Sequence, residues 1–272
     1  MGIPCNLCGG GERQVLESSP DGVCAVRCGD CGFIFLDPAP VVASCSHYDE
    51  EYYRPWIEEQ ATPRQALWQK RLKLLNGCHG VGRLLDAGCG NGDFLRLAKG
   101  GGWEVLGTEV SDWAVRHIQE RLGLDARQGD LLSLDLEEGS FDVVTLWHVL
   151  EHTTDPLANL RKARRLLKED GVLVLALPNA SNHLFRAAYA LGKMRFLRYY
   201  TPGEREVHLW HFTAETLQKM LEKAGFKVVR VGIDHSALRL PNKIVESAAD
   251  LLWRLTGLNW SEALEAVAVK QP

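Results

Sequence analysis

The 272-residue sequence contains no apolar run approaching the ~20 residues that a membrane-spanning helix requires. Its first residues, MGIPCNLC, have neither the basic flank nor the apolar core of a secretion signal. Both absences lead to the expectation of a cytoplasmic protein with no membrane partner. An excess of basic charge is missing as well: 31 Lys and Arg stand against 35 Asp and Glu, a net charge of −4, and the pI is near 6.2. That balance argues against broad electrostatic binding to nucleic acid. In a reducing compartment the eight cysteines read as metal ligands and free thiols, not as a disulfide framework. The length suffices for one full α/β domain with a small appendage, and the hydrophobic fraction of 46 % is ordinary for a chain with a substantial core.

Cys5-x-x-Cys8 and Cys28-x-x-Cys31 form two knuckles, each followed by a glycine (Gly9, Gly32) and separated by a polar, hairpin-like stretch. Four thiolates in two such pairs fit tetrahedral zinc, and the glycines let backbone amides turn toward the sulfurs. Residues 1–40 are too few to fold on a core of their own, so a zinc ion there would be structural and would supply the stability. A dithiol redox pair is the competing reading, but the βαβ setting such pairs need is missing. Cys24 fits neither knuckle and reads as a spare thiol. Phe33–Pro40 closes this ribbon with a strand and a proline-marked linker. A lead-in follows over residues 41–80, with aromatics and acids in Tyr48–Trp56 and an amphipathic helix over Thr62–Asn76.

Leu84–Phe94 (LLDAGCGNGDF) organises the rest: an apolar run ending at Asp86, glycines at 88, 90 and 92, then a helical pattern. Strand, glycine turn and helix make the first unit of a nucleotide-binding α/β sheet. A dinucleotide fingerprint would read G-x-G-x-x-G and seat a pyrophosphate on the helix N-terminus. Here Asp86 and Asp93 flank that N-terminus and would repel a pyrophosphate; they suit a ligand carrying an ammonium and a sulfonium. On these residues the chain resembles the class I methyltransferases that use S-adenosylmethionine, whose first motif has this D-x-G-C-G-x-G form.

The resemblance covers about residues 45–272 and implies a Rossmann-like seven-stranded α/β sheet, with its last strand antiparallel, over residues 81–272. Strands are expected at Leu84–Asp86, Trp103–Val110, Ala126–Asp130, Phe141–Trp147, Val172–Leu177, Lys227–Ile233 and Ala263–Val269. Helices are expected from Asp155-Pro156 to Gly171 and over Thr213–Ala224, with a helical insert near Lys243–Leu255. Glu109, about 20 residues beyond the glycines, would accept from both ribose hydroxyls, and Asp130 with Leu131 would meet the adenine. Read alone, these acids are equally a solvated strand end and a turn. Tyr52 or Tyr53 would cover the methionine end. The implied cofactor set is Tyr53, Asp86, Gly88, Cys89, Gly90, Glu109, Val110, Asp130, Leu131 and His148.

His148-Val149-Leu150-Glu151-His152 also matches the H-x-x-E-H string of zinc peptidases. That chemistry needs both histidines on one helix face, whereas here the string ends a buried strand. By resemblance, the position borders cofactor and acceptor, and a histidine there can take the proton of a hydroxyl acceptor. His152 is the first candidate base and His148 the second; a hydrogen bond to loop backbone is the plainer role for either. Residues 180–207 read as a lid over the acceptor pocket, with Glu151, His183, Tyr199 and His208 as acceptor contacts and His211 as packing. The ribbon-plus-methyltransferase layout resembles enzymes of sugar, polyketide and other secondary metabolism. Sugar C-methyltransferases of that type carry a further C-terminal domain, which this sequence ends too soon to include, so O-methylation of a small molecule is expected. Arg186, Lys193, Arg195 and Arg198 in the lid would suit a phosphate on a nucleotide-linked or carrier-bound acceptor. Ribosomal-RNA base methylation and a non-catalytic, cofactor-binding interaction protein are the alternatives.

Overall fold

The computed structural model describes residues 3–39, 48–58, 61–193, 197–236 and 240–271. In chain order the elements are β1 (Arg13–Ser18), β2 (Cys24–Cys28), β3 (Ile34–Asp37), α1 (Glu50–Glu58), α2 (Ala61–Cys78), β4 (Arg83–Ala87), α3 (Asp93–Gly100) and β5 (Glu104–Glu109). They continue with α4 (Asp112–Arg116), β6 (Ala126–Gln128), β7 (Phe141–Trp147), α5 (Pro156–Leu166), β8 (Leu167–Pro178) and α6 (His183–Lys193). Last come β9 (Trp210–His211), α7 (Ala214–Lys223), β10 (Phe226–Ile233), α8 (Leu240–Thr256) and β11 (Ala263–Lys270).

Seven strands form one sheet in the order β10-β11-β8-β7-β4-β5-β6. The five strands from β8 to β6 are parallel, and β11 runs antiparallel to both its neighbours, β10 and β8. The central strands are apolar on both sides because both faces are covered. Leu84, Val143 and Val174 face one core, which α3 completes with Phe94 and Leu95. Leu85, Val144 and Leu175 face the other, filled by Leu160 of α5 and Leu217 of α7. The expected seven-stranded sheet is therefore present.

Local chemistry sets the boundaries. Asp155 caps α5 by accepting from the Ala158 amide, with Pro156 in the first turn. Thr213 caps α7 in a reciprocal arrangement with Thr216. The third sheet strand stops at Gln128, short of the expected Asp130, because Gly129 at φ 143° turns the chain and Asp130 accepts from the Ser133 amide. Strand β8 begins earlier than expected: Leu167 pairs with Phe141, and the register then shifts so that Val143 meets Val172.

The N-terminal hairpin makes a second, four-stranded sheet in the order β1-β2-β3-β9. Its fourth strand, β9, is thus supplied from some 170 residues further along the chain. Phe33 is fully buried, stacks on Trp210 with centroids 5.8 Å apart, and meets Phe212 at 5.0 Å. The ribbon core and one face of the main sheet are one continuous apolar cluster. Among the described residues no helix is long and apolar enough to cross a membrane.

Candidate active site

A cavity of about 940 Å³ opens at the C-terminal ends of β4, β5 and β7, with the glycine turn along one side. Gly88, Gly90 and Gly92 all have positive φ (73°, 55° and 78°), which glycine adopts without the penalty a Cβ would bring. A Cβ on Gly88 would lie 2.5 Å from Val149 Cγ2, so the residue type is fixed by space as well as by angle. The Gly88 and Cys89 amides both donate to the Thr108 carbonyl (2.7 and 3.0 Å), pinning the turn to β5. Glu109, 6 % exposed, joins the same elements: its Oε2 accepts from the Gly90 amide at 2.9 Å and its Oε1 from the Ser111 amide at 3.0 Å. Each oxygen keeps a lone pair for another donor. Burial raises its pKa, an effect moderated by those amides.

Asp86 sits beneath the turn, 1 % exposed, and accepts a 2.7 Å hydrogen bond from Thr145 Oγ1. Burial pushes this carboxyl up to about 7, so a cation is what would hold it ionised. Asp130 and Leu131 line the far end with Val110, and one Asp130 oxygen remains beyond that taken by the Ser133 amide. Of the two lead-in tyrosines, Tyr53 is the buried one. It stacks on Trp113 at 5.4 Å, and its ring edge is 3.6 Å from where a Gly90 Cβ would stand.

Arg64 on α2 is a site residue that the sequence reading missed. Its guanidinium lies 4.1 Å over Trp56 and 5.6 Å over Trp68 at the cavity wall, and its buried Nε has no hydrogen-bond partner. Burial lowers its pKa to about 10. A second missed pair is Arg71 and Asp234, both 1 % exposed and joined at 2.8 Å. Arg71 comes from α2 and Asp234 from the chain just after β10, so this pair clamps the lead-in onto the sheet. Nothing in sequence links residues 163 positions apart.

The other side of the cavity is built around the end of β7. His148 has φ 57°, rare for a residue with a Cβ, and its amide donates to Ala176 O at 2.8 Å. That break ends the strand, and Leu150–His152 is a single 3-10 turn. His148 and His152 therefore do not share a helix face, and the peptidase string has no matching geometry. Glu151, 1 % exposed, points inward with His148 Nδ1 at 3.6 Å and His152 Nε2 at 3.9 Å from its Oε1. The other nitrogen of His148 is 3.6 Å from Asp234. Burial opposes the His148 imidazolium, yet the flanking Asp234 and Glu151 raise its pKa above the ordinary value. Burial likewise opposes the Glu151 anion, but the facing histidines hold it down at about 2.

His152 Nδ1 is 2.8 Å from the Val207 carbonyl, so it carries the proton and Nε2 keeps its lone pair. His208 stands 4.8 Å from the His152 ring, and burial drops its pKa to about 4. Tyr199 lines the cavity under the Arg186 guanidinium, 4.8 Å away, and edge-on to His211. Burial lowers the His211 pKa to about 3. His183 is placed elsewhere: it is exposed and packs edge-on against Trp260 at 5.3 Å, outside the cavity lining. Of the basic lid residues, Arg198 is bonded to Glu17 of the ribbon, while Arg195 lies outside the described residues.

In the ribbon, Cys5, Cys8, Cys28 and Cys31 bring their sulfurs within 4.8 Å of one another. The Cys5–Cys31 and Cys8–Cys28 separations are 3.6 and 3.5 Å. A tetrahedron with Zn–S bonds of about 2.3 Å has edges of roughly 3.8 Å, so the donor set fits zinc. The Gly10 amide donates to Cys8 Sγ at 3.3 Å, as turned backbone at a knuckle should. Cys24 stays outside this group, 3.4 Å from Ser18 Oγ.

A glycine turn between β4 and α3, with Asp86 next to the end of β4 and Glu109 ending β5, has the layout of the nucleoside-binding corner of doubly wound α/β enzymes. A profile described as a methyltransferase domain matches residues 47–231, and the chain belongs to that family of S-adenosylmethionine-dependent methyltransferases. A probable S-adenosylmethionine-dependent methyltransferase of Mycolicibacterium smegmatis is 30 % identical over 156 residues, which is 57 % of this chain and 56 % of that protein. The match thus spans little more than half of that relative. The demethylmenaquinone methyltransferase of Lactococcus lactis is 29 % identical over 184 residues, covering 60 % of this chain and 73 % of that one. Two solved structures share the fold. A possible histamine N-methyltransferase from Thermotoga maritima has TM-score 0.57 at 21 % identity, covering 84 % of this chain and all of that one. The magnesium protoporphyrin IX methyltransferase from Synechocystis PCC 6803 has TM-score 0.57 at 17 % identity, covering 83 % and 97 %.

Proposed function

We propose that the protein methylates a hydroxyl oxygen of a small organic acceptor. One observation carries this reading: a single cavity runs from the glycine turn to the Glu151–His152–His208 cluster, so cofactor and acceptor subsites are continuous. The residues present fit S-adenosylmethionine. Asp86 would meet its ammonium, Arg64, whose Nε has no hydrogen-bond partner, its carboxylate, Glu109 its ribose hydroxyls, and Asp130 with Leu131 its adenine. When bound, the cofactor would supply an electrophilic methyl group on a sulfonium, with a neutral thioether as the leaving group.

The protein's part is to align, to exclude water and to take a proton. His152 would take it: Nδ1 is held to the Val207 carbonyl, which leaves Nε2, 3.9 Å from Glu151 Oε1, as the basic nitrogen. His148, held between two carboxylates, is better suited to remain a cation. Tyr199 and Arg186 would border the acceptor. The relatives support an organic ring acceptor, since one is a demethylmenaquinone methyltransferase and a structural neighbour is a magnesium protoporphyrin IX methyltransferase. The four cysteines would hold a structural zinc.

The test pairs calorimetric titration with turnover. S-adenosylmethionine should bind and NAD should not. In an acceptor screen read by S-adenosylhomocysteine release, His152→Ala should lower turnover ~10²–10⁴-fold with cofactor affinity kept within about twofold. Full turnover by that variant would remove His152 as the base, and a folded protein that binds no cofactor would overturn the reading.

A further inference from the structure

We propose that Glu151, His152 and His208 form a second metal site, for one divalent transition-metal ion, on the acceptor side of the cavity. Their ligand atoms already lie within 4.8 Å of one another. Bonds of about 2.0–2.2 Å require neighbouring donors some 3.4 Å apart, so an ion would have to draw these atoms roughly 1.4 Å closer at most. Glu151 is the strongest argument. It is 1 % exposed, and neither of its oxygens has a hydrogen-bond donor. His148 Nδ1 stands 3.6 Å from its Oε1, an ion pair short of hydrogen-bond contact that leaves the second oxygen unpaired, and a cation seated between the carboxylate and the two imidazoles would complete the pairing.

The histidines are prepared in the manner of metal ligands. Val207 O fixes the His152 tautomer from outside, which leaves Nε2 free to bind and orients the ring. His208 is held in place through its neighbour, because the Leu209 amide donates to the Glu151 carbonyl at 2.8 Å. Behind it, His211 lies edge-on to His208 with ring centroids 6.3 Å apart, and its Nε2 is buried with no partner. Two imidazoles and one carboxylate select Zn, Mn, Fe or Co over Ca or Mg, and three protein ligands leave coordination positions open. This is the opposite of the closed thiolate set in the ribbon. Metal binding here goes beyond methyl transfer; a metal on His152 Nε2 would replace that nitrogen as base by lowering the pKa of a coordinated acceptor hydroxyl, and only this use rests on the methyl-transfer reading.

Cobalt distinguishes the two sites. Intact protein with its ribbon saturated by zinc is titrated with Co²⁺, followed by calorimetry and visible absorption. The expected result is one additional equivalent of cobalt with weak d–d bands and no intense thiolate charge-transfer band. Glu151→Gln and His208→Ala should each weaken that binding at least ~10-fold while zinc content and S-adenosylmethionine affinity stay unchanged, which shows they are folded. The proposal fails if wild-type protein binds no further cobalt up to millimolar concentration. It also fails if cobalt enters only with thiolate bands, or if Glu151→Gln binds as tightly as wild type. Because the readout needs neither cofactor nor acceptor, its failure leaves the methyl-transfer reading standing, and loss of cofactor binding would leave the metal site standing.

Discussion

Replacing Asp86 by Asn should strengthen the empty fold and weaken the cofactor site, with both effects following pH. In the folded protein this carboxyl is raised from 3.8 to about 7 by burial. The empty native state therefore holds the proton more tightly than the unfolded chain does. The resulting penalty is absent below the unfolded value, grows between about pH 4 and pH 7, and is constant above. Three pH units correspond to about 4 kcal/mol at the upper limit. Asn keeps an oxygen for the Thr145 hydroxyl and carries no charge. Its advantage should thus be larger at pH 8 than at pH 5 by on the order of 2 kcal/mol, or several degrees in Tm for a chain of this size. Cofactor binding should move the other way. Wild-type affinity should fall as pH drops through about 7, approaching tenfold per unit, because the ammonium needs the ionised carboxylate. In the variant it should be weak and flat with pH. Thermal melts and calorimetry at pH 5, 6, 7 and 8 measure both. A variant equally destabilised at pH 5 and pH 8, together with a wild-type affinity that does not change with pH, would refute the argument.

Three further outcomes are expected. Arg64→Ala should raise the Kd for S-adenosylmethionine by about tenfold, as loss of one charged contact does, while decarboxylated S-adenosylmethionine binds both proteins alike; equal losses for both ligands would remove Arg64 as the carboxylate partner. Gly88→Ala should cost about 2–4 kcal/mol from positive φ plus the clash with Val149, and Val149→Ala in the same chain should recover part of it in thermal melts. No recovery would place the cost in the backbone angle alone. Cys5→Ser should release zinc and shift Trp210 fluorescence, since Phe33 of the ribbon stacks on that indole; unchanged metal content would dismiss the four-cysteine site.

The main sheet was legible because Val143-Val144 and Leu173-Val174-Leu175 are runs that only a strand covered on both faces accommodates. The glycine turn was legible for a similar reason: positive φ at three alternate positions leaves a sequence little choice. Side-chain partnerships across distant segments were not. Arg71 and Arg64 look like ordinary solvated cations on a helix, and only the fold places one on Asp234 and the other above Trp56. Among the histidines, sequence signals the chemistry but not the direction of the side chain. His152 and His208 converge on Glu151, whereas His183, one turn into the lid, packs outside on Trp260. Strand β9 escaped notice because two residues are too few to show any period.

That short strand also constrains how the chain can be made. Ile34 and Phe35 pair with His211 and Trp210, so the N-terminal hairpin cannot complete its sheet until some 170 further residues have been synthesised. At 5–20 residues per second this is a wait of roughly 9–35 s on the ribosome. Over that interval Phe33 and Phe35 have no indole to cover them, and zinc captured early by the thiolates would be what keeps the hairpin from seeking other partners. Metal supply during translation, more than in the finished protein, should then decide how much of this chain reaches its native state.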